Sequence, residues 1–106
     1  MGYHMNRETK LMRQIMVALS ERGHFVLRTN AGNFFDSQGN RVTIGFPGLS
    51  DLVGCTKEGR FFALEVKLPG EKPRKNQLDF IEAMYRTGAI AGWCTSVESA
   101  IKIVEG

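Results

Sequence analysis

The sequence predicts an α/β fold in which helices pack against a mixed β-sheet. Two patterns predict it: amphipathic segments with apolar residues at helical spacing, and short runs of strand-forming residues bounded by turn signals. Their order is helix, three strands, helix, strand, helix (αβββαβα). A chain of 106 residues can bury one modest core but not two. We therefore expect one domain over residues 5–106, and we leave residues 1–4 out because they read as residues added ahead of Met5.

The first helix is predicted over residues 6–22. Asn6 is a suitable N-cap, and Gly23 ends the helical pattern. The apolar residues at helical spacing are Leu11, Met12, Ile15, Met16 and Leu19. A stripe of this kind indicates a helix that packs on one face.

Three strands are predicted in the first two thirds of the chain, over residues 24–30, 51–56 and 60–68. The turn "KEG" separates the last two, so we expect them to pair as an antiparallel hairpin. Residues 31–49 are rich in glycine and contain a proline, which indicates a loop or an excursion hairpin between the first two strands.

The second helix is predicted over residues 73–87, with Pro73 as its first residue and Gly88 just past its end. A strand over residues 89–95 follows. Thr95 and Glu98 have the spacing of a capping box, which predicts that a last amphipathic helix begins there.

Composition excludes several classes of protein. No apolar run is long enough to span a membrane, and no signal-peptide pattern opens the chain. Cys55 and Cys94 lie far apart without Cys/His spacing typical of zinc, so we expect two reduced, half-buried strand cysteines, and the alternative is a single disulfide. His24 has no predicted ligand role. A net charge of +3 is weak evidence for a nucleic-acid partner. We expect a cytoplasmic protein, bacterial or phage-encoded, without a membrane partner.

The strand "FFALEVKL" carries charges that a buried strand does not need. Because side chains alternate, one face has Phe62, Leu64, Val66 and Leu68, and the other has Phe61, Ala63, Glu65 and Lys67. Hairpin pairing places Asp51 near Glu65 and Lys67. Two carboxylates beside a lysine form an oxygen-rich cation site. The alternative is an edge strand whose solvent face happens to carry these charges.

Two further polar residues lie on helix faces that are otherwise apolar. Glu8 precedes Met12 by four residues, so it can approach Asp51 and Glu65 as a third carboxylate, or simply complement the helix dipole. Gln77 shares a face with Ile81 and Met84, so it points towards the sheet. It helps to hold a water or a lysine of the site, or it is a hydrogen-bonded core glutamine.

Three cations surround the start of the second helix: Lys72, Arg74 and Lys75. Cations there oppose the helix dipole, but together with free backbone N–H groups they attract phosphate. The segment is therefore a candidate DNA contact, and its alternative is a solvated basic face.

These residues resemble a known family. Asp51 followed by "EVK" on the next strand is similar to the PD-(D/E)xK nuclease signature. The segment "SDLVG…FFALEVKLPGEKPRKNQLDFIEAM" resembles the virus-type replication-repair nuclease (VRR-NUC) domain, and the likeness runs from Asn6 over nearly the whole chain. Ser50 departs from the proline that the family usually has before the aspartate. The resemblance implies a restriction-endonuclease-like core.

The resemblance also implies roles for the site residues. Asp51, Glu65 and the backbone carbonyl of Val66 would bind Mg²⁺ or Mn²⁺, and Glu8 would be an outer or additional ligand. Lys67 would orient or deprotonate the attacking water. Gln77 would match the glutamine of the helix that follows the signature strand.

The resemblance further implies a metal-dependent, structure-selective DNA endonuclease of the Holliday-junction-resolvase type. The alternatives are a flap or nicking endonuclease that needs a partner, and a nucleic-acid-binding module without catalysis. Partners would be branched or double-stranded DNA. A four-way junction has two strands to cut, so we expect a homodimer whose interface uses residues 31–49, with its Phe34, Phe35 and Phe46. The alternative is a monomer whose aromatics close over the sheet edge.

Overall fold

The computed structural model describes residues 6–106, so residues 1–4 and their predicted status lie outside the described part. The elements are α1 (Arg7–Glu21), β1 (Phe25–Arg28), β2 (Gly32–Phe35), β3 (Arg41–Ile44), β4 (Leu52–Cys55), β5 (Phe61–Val66), α2 (Lys75–Arg86), β6 (Ile90–Cys94) and α3 (Val97–Glu105). The predicted order αβββαβα holds once β2 and β3 are counted as the excursion. None of the helices in residues 6–106 is long and apolar enough to cross a membrane.

Four strands form a mixed sheet in the order β1-β4-β5-β6. The predicted hairpin is confirmed, because β4 and β5 pair antiparallel from Cys55 opposite Phe61 to Leu52 opposite Leu64. Strand β6 returns through α2 and pairs parallel with β5. Strand β5 therefore lies in the centre of the sheet, and the edge-strand alternative is wrong.

Helices cover both faces of this sheet. α1 contacts α3, β1 and β5, whereas α2 contacts β5 and β6. α2 and α3 both pack on β6 without packing on each other, so they lie on opposite faces. The core holds the stripe of α1 (Met12, Ile15 and Leu19), the inner residues of β4 and β5 (Leu52, Phe62, Leu64 and Val66), and Cys94, Ala100 and Val104.

Strand β5 is buried on both of its faces from Phe62 to Val66. The alternation of its side chains is as predicted, but the face with Ala63 and Glu65 is covered as completely as the apolar face. The reason is that a central strand has a helix layer on each side. A carboxylate on such a strand is a buried carboxylate, which raises the energetic cost of its charge.

Two predicted helix starts are wrong by one or two residues. α2 begins at Lys75 rather than at Pro73, because Arg74 is still extended and its N–H donates to the side chain of Gln77 at 2.8 Å. α3 is capped by Ser96 rather than by Thr95. The Ser96 hydroxyl accepts from the N–H of Ser99 at 3.0 Å, so the third helical position is Ser99 and not Glu98.

Residues 31–49 form the excursion hairpin rather than a plain loop. β2 and β3 pair antiparallel as a separate two-stranded sheet, with Phe34 opposite Val42. Asp36 stabilises the turn by accepting from the backbone N–H groups of Gln38 and Asn40. The hairpin is largely exposed, so it contributes to the surface of the molecule rather than to the hydrophobic core.

Both cysteines are free thiols, as predicted, but the expectation that both are half-buried is wrong for Cys94. Cys55 is only partly buried on β4, and Cys94 is fully buried on β6. Burial raises the pKa of the Cys94 thiol to about 12. That thiol is therefore inert at physiological pH.

Candidate active site

Asp51 is held at the start of β4 by backbone contacts with the end of β1. The backbone carbonyl of Asp51 accepts the N–H of Thr29 at 2.9 Å, and the hydroxyl of Thr29 donates to the carbonyl of Ser50 at 2.9 Å. The Ser50 hydroxyl is buried without a hydrogen-bond partner, so this residue contributes its backbone rather than its side chain. The Asp51 carboxylate is thereby free to turn towards β5.

The Asp51 carboxylate lies against the end of β5. Its Oδ2 accepts the backbone N–H of Val66 at 2.9 Å. The pairing of Leu52 with Leu64 puts Asp51 beside Glu65, one step further along the two strands. The hairpin therefore brings together two of the predicted site carboxylates.

Glu65 has only one hydrogen bond for its two carboxylate oxygens. The residue is 2% exposed, and Oε1 accepts from Nε2 of Gln77 at 2.9 Å. Oε2 is buried, and no N–H or O–H group of residues 6–106 donates to it. Its neighbour is the Asp51 carboxyl, with which it can pair only through a shared proton or a cation. An unpaired buried carboxylate oxygen is costly, and such an atom needs an explanation.

The environment of Glu65 strongly favours its neutral form. Burial, followed by the neighbouring Asp51 carboxyl, raises the pKa of Glu65 to about 9, and the positive charge of Lys67 opposes this only in part. Two carboxyl groups this close cannot both be ionised unless a proton or a cation lies between them. The pair therefore has the electrostatics of a site for a positive charge.

The backbone carbonyl of Val66 faces the same side as Asp51. In a strand, the N–H and C=O of one residue point to the same neighbouring strand. The N–H of Val66 goes to Asp51, whereas the N–H of Lys67 goes to the carbonyl of Cys94 on β6 at 2.9 Å. The Val66 carbonyl is therefore directed towards the two carboxylates.

Lys67 follows β5 but continues its pairing with β6. The alternation of side chains therefore extends to Lys67, which puts its side chain on the same side as that of Glu65. Burial raises the pKa of both Glu65 and Glu8, and the positive charge of Lys67 partly opposes that rise. The ammonium group is thus part of the same electrostatic neighbourhood.

Glu8 in the first turn of α1 faces this neighbourhood without joining the pair. Burial, followed by the charge of Asp51, raises the pKa of Glu8, and the charge of Lys67 lowers it. Within residues 6–106, no three His, Cys, Asp or Glu side chains come close enough together to hold a metal ion. The structure therefore brings Asp51 and Glu65 together and leaves Glu8 outside.

Gln77 connects the start of α2 to the carboxylate pair. Its Oε1 accepts the N–H of Arg74, and its Nε2 donates to Glu65. Its partner is Glu65, not a lysine of the site. The amide therefore fixes the carboxyl group of Glu65 relative to the first turn of α2.

The three predicted DNA-contact cations are exposed near the start of α2. Lys75 pairs with Asp79 at 2.9 Å, which occupies part of its charge. Arg74 and Lys72 have no ion pair with any residue in the described range. The basic segment lies on the same helix turn as Gln77, so it is next to the carboxylates.

A polar cleft that sequence reasoning missed opens beside Asp51. Its volume is about 220 Å³, and it separates the β2–β3 hairpin from the first turn of α2. Its walls include Asn33 and Thr43 from the hairpin, Phe46 from the following turn, and Asn76 from α2. These residues are distant in sequence and form no motif, and they come together only because the turn after the hairpin packs on α2.

Comparisons with known proteins agree with the geometry. A sequence profile of the VRR-NUC domain matches residues 6–98. A solved structure described as a VRR_NUC domain aligns with a TM-score of 0.68 and 20% identity, covering 95% of this chain and 97% of the other. That similarity shows a common restriction-endonuclease-like fold. A comparison with curated proteins gave no match. With a profile match over most of its length and this nuclease-type fold, the chain belongs to the VRR-NUC domain family.

Proposed function

We propose that the protein is a metal-dependent endonuclease that hydrolyses phosphodiester bonds in branched DNA, with the four-way Holliday junction as its substrate. The observation that carries this proposal is the Asp51–Glu65 pair, with a buried Oε2 atom that has no partner. A module that only binds DNA has no use for buried carboxylates facing a phosphate backbone. The pair therefore favours catalysis over binding alone.

The residues at the site fit a hard divalent cation, Mg²⁺ or Mn²⁺. Asp51, Glu65 and the carbonyl of Val66 would hold it, since all three are oxygen donors on one side of the β5 end. Mg²⁺ is usually bound by one or two carboxylates and retains several waters, so a group of three acids is not needed. When bound, the cation polarises the phosphoryl oxygen and lowers the pKa of a bound water. Glu8 would act on the outer waters.

Lys67 is the residue of this chain that would act on the attacking water. Its side chain, on the side of Glu65, would orient or deprotonate the attacking water. It would also stabilise negative charge as it develops on the phosphate. Attack of water on phosphorus breaks the bond to the 3′ oxygen, which leaves a 3′-OH and a 5′-phosphate. Gln77 holds Glu65 in place throughout.

DNA would be positioned by the start of α2. Lys72, Arg74 and Lys75 are exposed and surround the free backbone N–H groups of the helix, which favours contact with phosphates. Lys75 would contribute least, because Asp79 competes for its charge. The chain is expected to act as a homodimer, since two symmetric incisions need two sites.

The test is a cleavage assay with Mg²⁺ or Mn²⁺ over four-way junctions, flaps, nicked duplexes and linear duplexes, together with thermal unfolding with and without the metal. We expect paired cuts in the four-way junction. We also expect metal to raise the melting temperature of the wild type by mass action. Glu65→Gln should lose both effects, whereas Glu82→Gln, an exposed control on α2, should lose neither.

Each contrary outcome identifies a different error. Cleavage of flaps or nicks alone would replace the Holliday junction as substrate. DNA binding without cleavage, and without a metal-induced rise in melting temperature, would leave a binding module. Full cleavage by Glu65→Gln would remove the metal site.

A further inference from the structure

We propose that the cleft between the β2–β3 hairpin and the first turn of α2 takes one unstacked nucleotide, the neighbour of the phosphate that is cut. This inference rests on the proposed function of the Asp51–Glu65 site, because Asp51 is one of the residues that line the cleft. A strand whose phosphate lies at Asp51 has its next nucleotide directed into this space. The inference adds a feature of the bound substrate: the nucleotide beside the cut is unstacked and unpaired once the DNA is bound.

The size of the cleft fits one nucleotide rather than a base pair. Its volume of about 220 Å³ lies below the roughly 300–1,000 Å³ typical of pockets for drug-sized ligands. A stacked pair within a duplex has no room there. A single base turned out of the stack is the unit of nucleic acid that a cavity of this size can hold.

The cleft is held open by two contacts at its base. Gly48 has φ +92°, and an added Cβ atom would lie 2.3 Å from the carbonyl oxygen of Asn76, so the turn and α2 are packed backbone to backbone. Next to it, the rings of Phe46 and Phe80 lie 5.4 Å apart at 60°. These contacts fix the hairpin's base on α2, so the cavity exists before any ligand enters.

The lining has the chemistry that recognises a base. Asn33, Thr43 and Asn76 are neutral hydrogen-bonding residues, and Phe46 is half exposed and offers a ring face for stacking. Thr43 donates to Asn33 Oδ1 at 2.9 Å, so this bond engages the amide oxygen and leaves the amide N–H groups of Asn33 as donors for a ligand. Arg74, also in the lining, would contact a phosphate. A bare anion would be repelled by Asp51 and has few partners here.

The proposal favours branched DNA for a physical reason. A base inside a duplex must lose its pairing and stacking before it can enter, whereas a base at a branch point is already partly free. Cleavage is therefore expected beside unpaired or weakly stacked nucleotides. A junction whose arms are closed by perfect pairing should be cut where its strands exchange.

The first arm of the test measures single-turnover cleavage of a branched DNA and of matched DNAs with one abasic position on either side of the cut. Phe46→Ala is expected to slow cleavage of intact DNA about 10- to 100-fold, from the loss of base stacking. On DNA that is abasic at the cleft position, Phe46→Ala and the wild type should cut equally fast. Tyr85→Ala, an exposed aromatic control on α2, should cut both DNAs like the wild type.

The second arm uses 2-aminopurine at the same positions and the Glu65→Gln protein, which should bind without cutting. The fluorescence of 2-aminopurine should rise when the protein binds DNA that carries this base at one of the two flanking positions. Asn76→Ala should weaken that rise, and this variant still tests the proposal if Phe46→Ala fails to fold. Stacked 2-aminopurine at both positions would overturn the proposal. If Phe46→Ala slows the cleavage of intact and abasic DNA equally, the proposal is also overturned. The same holds if Phe46→Ala converts a dimer to a monomer. If the wild type cuts no DNA, the proposed function fails, and this arm alone still decides the occupant of the cleft.

Discussion

At the scale of single residues, the chemistry concentrates where β4 and β5 meet. Glu65 is buried, is held by Gln77 on one oxygen, and has a second oxygen without a partner. Asp51 uses one oxygen to hold the backbone of Val66. A buried carboxyl oxygen that receives no hydrogen bond costs free energy, so the stability of the fold does not explain this arrangement. The geometry of both carboxyl groups is therefore best explained by the charge that they would bind.

Lys67 is expected to act on water and phosphate rather than on the metal. Lys67→Ala should therefore reduce the cleavage rate about 10²- to 10⁴-fold, the range for a positioned acid–base group, while the metal-induced rise in melting temperature stays. Lys67→Arg should recover only part of the rate, because a guanidinium keeps the charge but cannot take a proton. Calorimetry with Mn²⁺ checks the metal affinity. A large decrease of that affinity in Lys67→Ala would make Lys67 a structural residue.

A second ionic cluster lies where α3 ends, on residues that are not part of the catalytic proposal. Glu105 accepts hydrogen bonds from Arg22 at 2.6 and 2.7 Å and is 2.9 Å from Nε2 of His24. The backbone N–H of Lys57 donates to Nδ1 of His24, so the ring proton lies on Nε2 and is donated to Glu105. These bonds fasten the end of α3 to α1 and to the β4–β5 turn.

This cluster predicts a specific pH dependence of stability. The hydrogen bonds of Arg22 and His24 lower the pKa of Glu105 to about 2 from an ordinary value of 4.5. A lowered folded-state pKa stabilises the fold above pH 4.5 and loses that contribution as the pH falls towards 2. Glu105→Gln should therefore be less stable than the wild type at pH 7, and the two should converge in acid. Urea unfolding at several pH values measures this, and Glu21→Gln, an exposed carboxylate of α1, is the control. A difference that is unchanged down to pH 2 would contradict it.

At the scale of elements, α2 does two things with its first turn. Gln77 is directed inward to Glu65, while Lys72, Arg74 and Lys75 remain outside around the free N–H groups. A helix places residues on opposite sides within one turn, so a short segment can serve both the site and the DNA. The wrong prediction of its start at Pro73 has the same cause, because Gln77 supplies the cap that ends the extended segment at Arg74.

Removal of these cations should change DNA binding and leave the metal site intact. The double variant Lys72→Ala, Arg74→Ala should lower the slope of log affinity against log salt by about 0.9 for each phosphate that the protein no longer neutralises. Arg86→Ala, at the other end of α2 and paired with Glu82 at 2.6 Å, is the matched control. Binding titrations between low and moderate salt measure the slope. An unchanged slope in the double variant would mean that this helix start faces only solvent.

At the scale of the whole molecule, the β2–β3 hairpin stands apart from the main sheet and has two unlike faces. Register puts Phe34, Val42 and Ile44 on one side, and Asn33, Phe35, Arg41 and Thr43 on the other. The second side includes walls of the cleft next to Asp51, and the cleft also reaches Ile44 of the first side. The first side is apolar, and its three side chains are about half exposed. An uncovered apolar face of this kind is typical of an association surface.

We expect this apolar face to form the homodimer. Phe34→Lys combined with Val42→Lys should turn a dimer into a monomer and reduce paired incision of a four-way junction to single cuts, while the fold persists because neither residue is in the core. Light scattering on a sizing column measures the mass, and Val17→Lys on the exposed side of α1 is the control. If the wild type elutes as a monomer at micromolar concentration without DNA, the homodimer prediction is wrong. That result would favour a flap or nicking endonuclease.

Most of the fold could be predicted from the sequence because local patterns determine it. Three of these patterns are local: the helical spacing in α1, the turn at "KEG", and the glycines after α1 and α2. Each can be recognised without knowing which distant residues it will contact. The convergence of Asp51 with Glu65 could also be predicted, since hairpin register follows from a short turn. The burial of Glu65 could not be predicted from a local pattern. The sequence of a strand does not show whether the strand lies at the edge of a sheet or in its centre.

The sequence by itself determined the order of the elements, the hairpin that carries the acidic pair, the reduced cysteines and the family. The tertiary structure alone decided the central place of β5, the link from Gln77 to Glu65, and the cleft between Asn33, Phe46 and Asn76. The physical reason is the distance along the chain between the residues that produce each feature. Periodicity and turns arise from neighbours in the chain. Burial, shifted pKa values and cavities arise from residues that meet only when α2 packs on the sheet and the turn after the hairpin packs on α2.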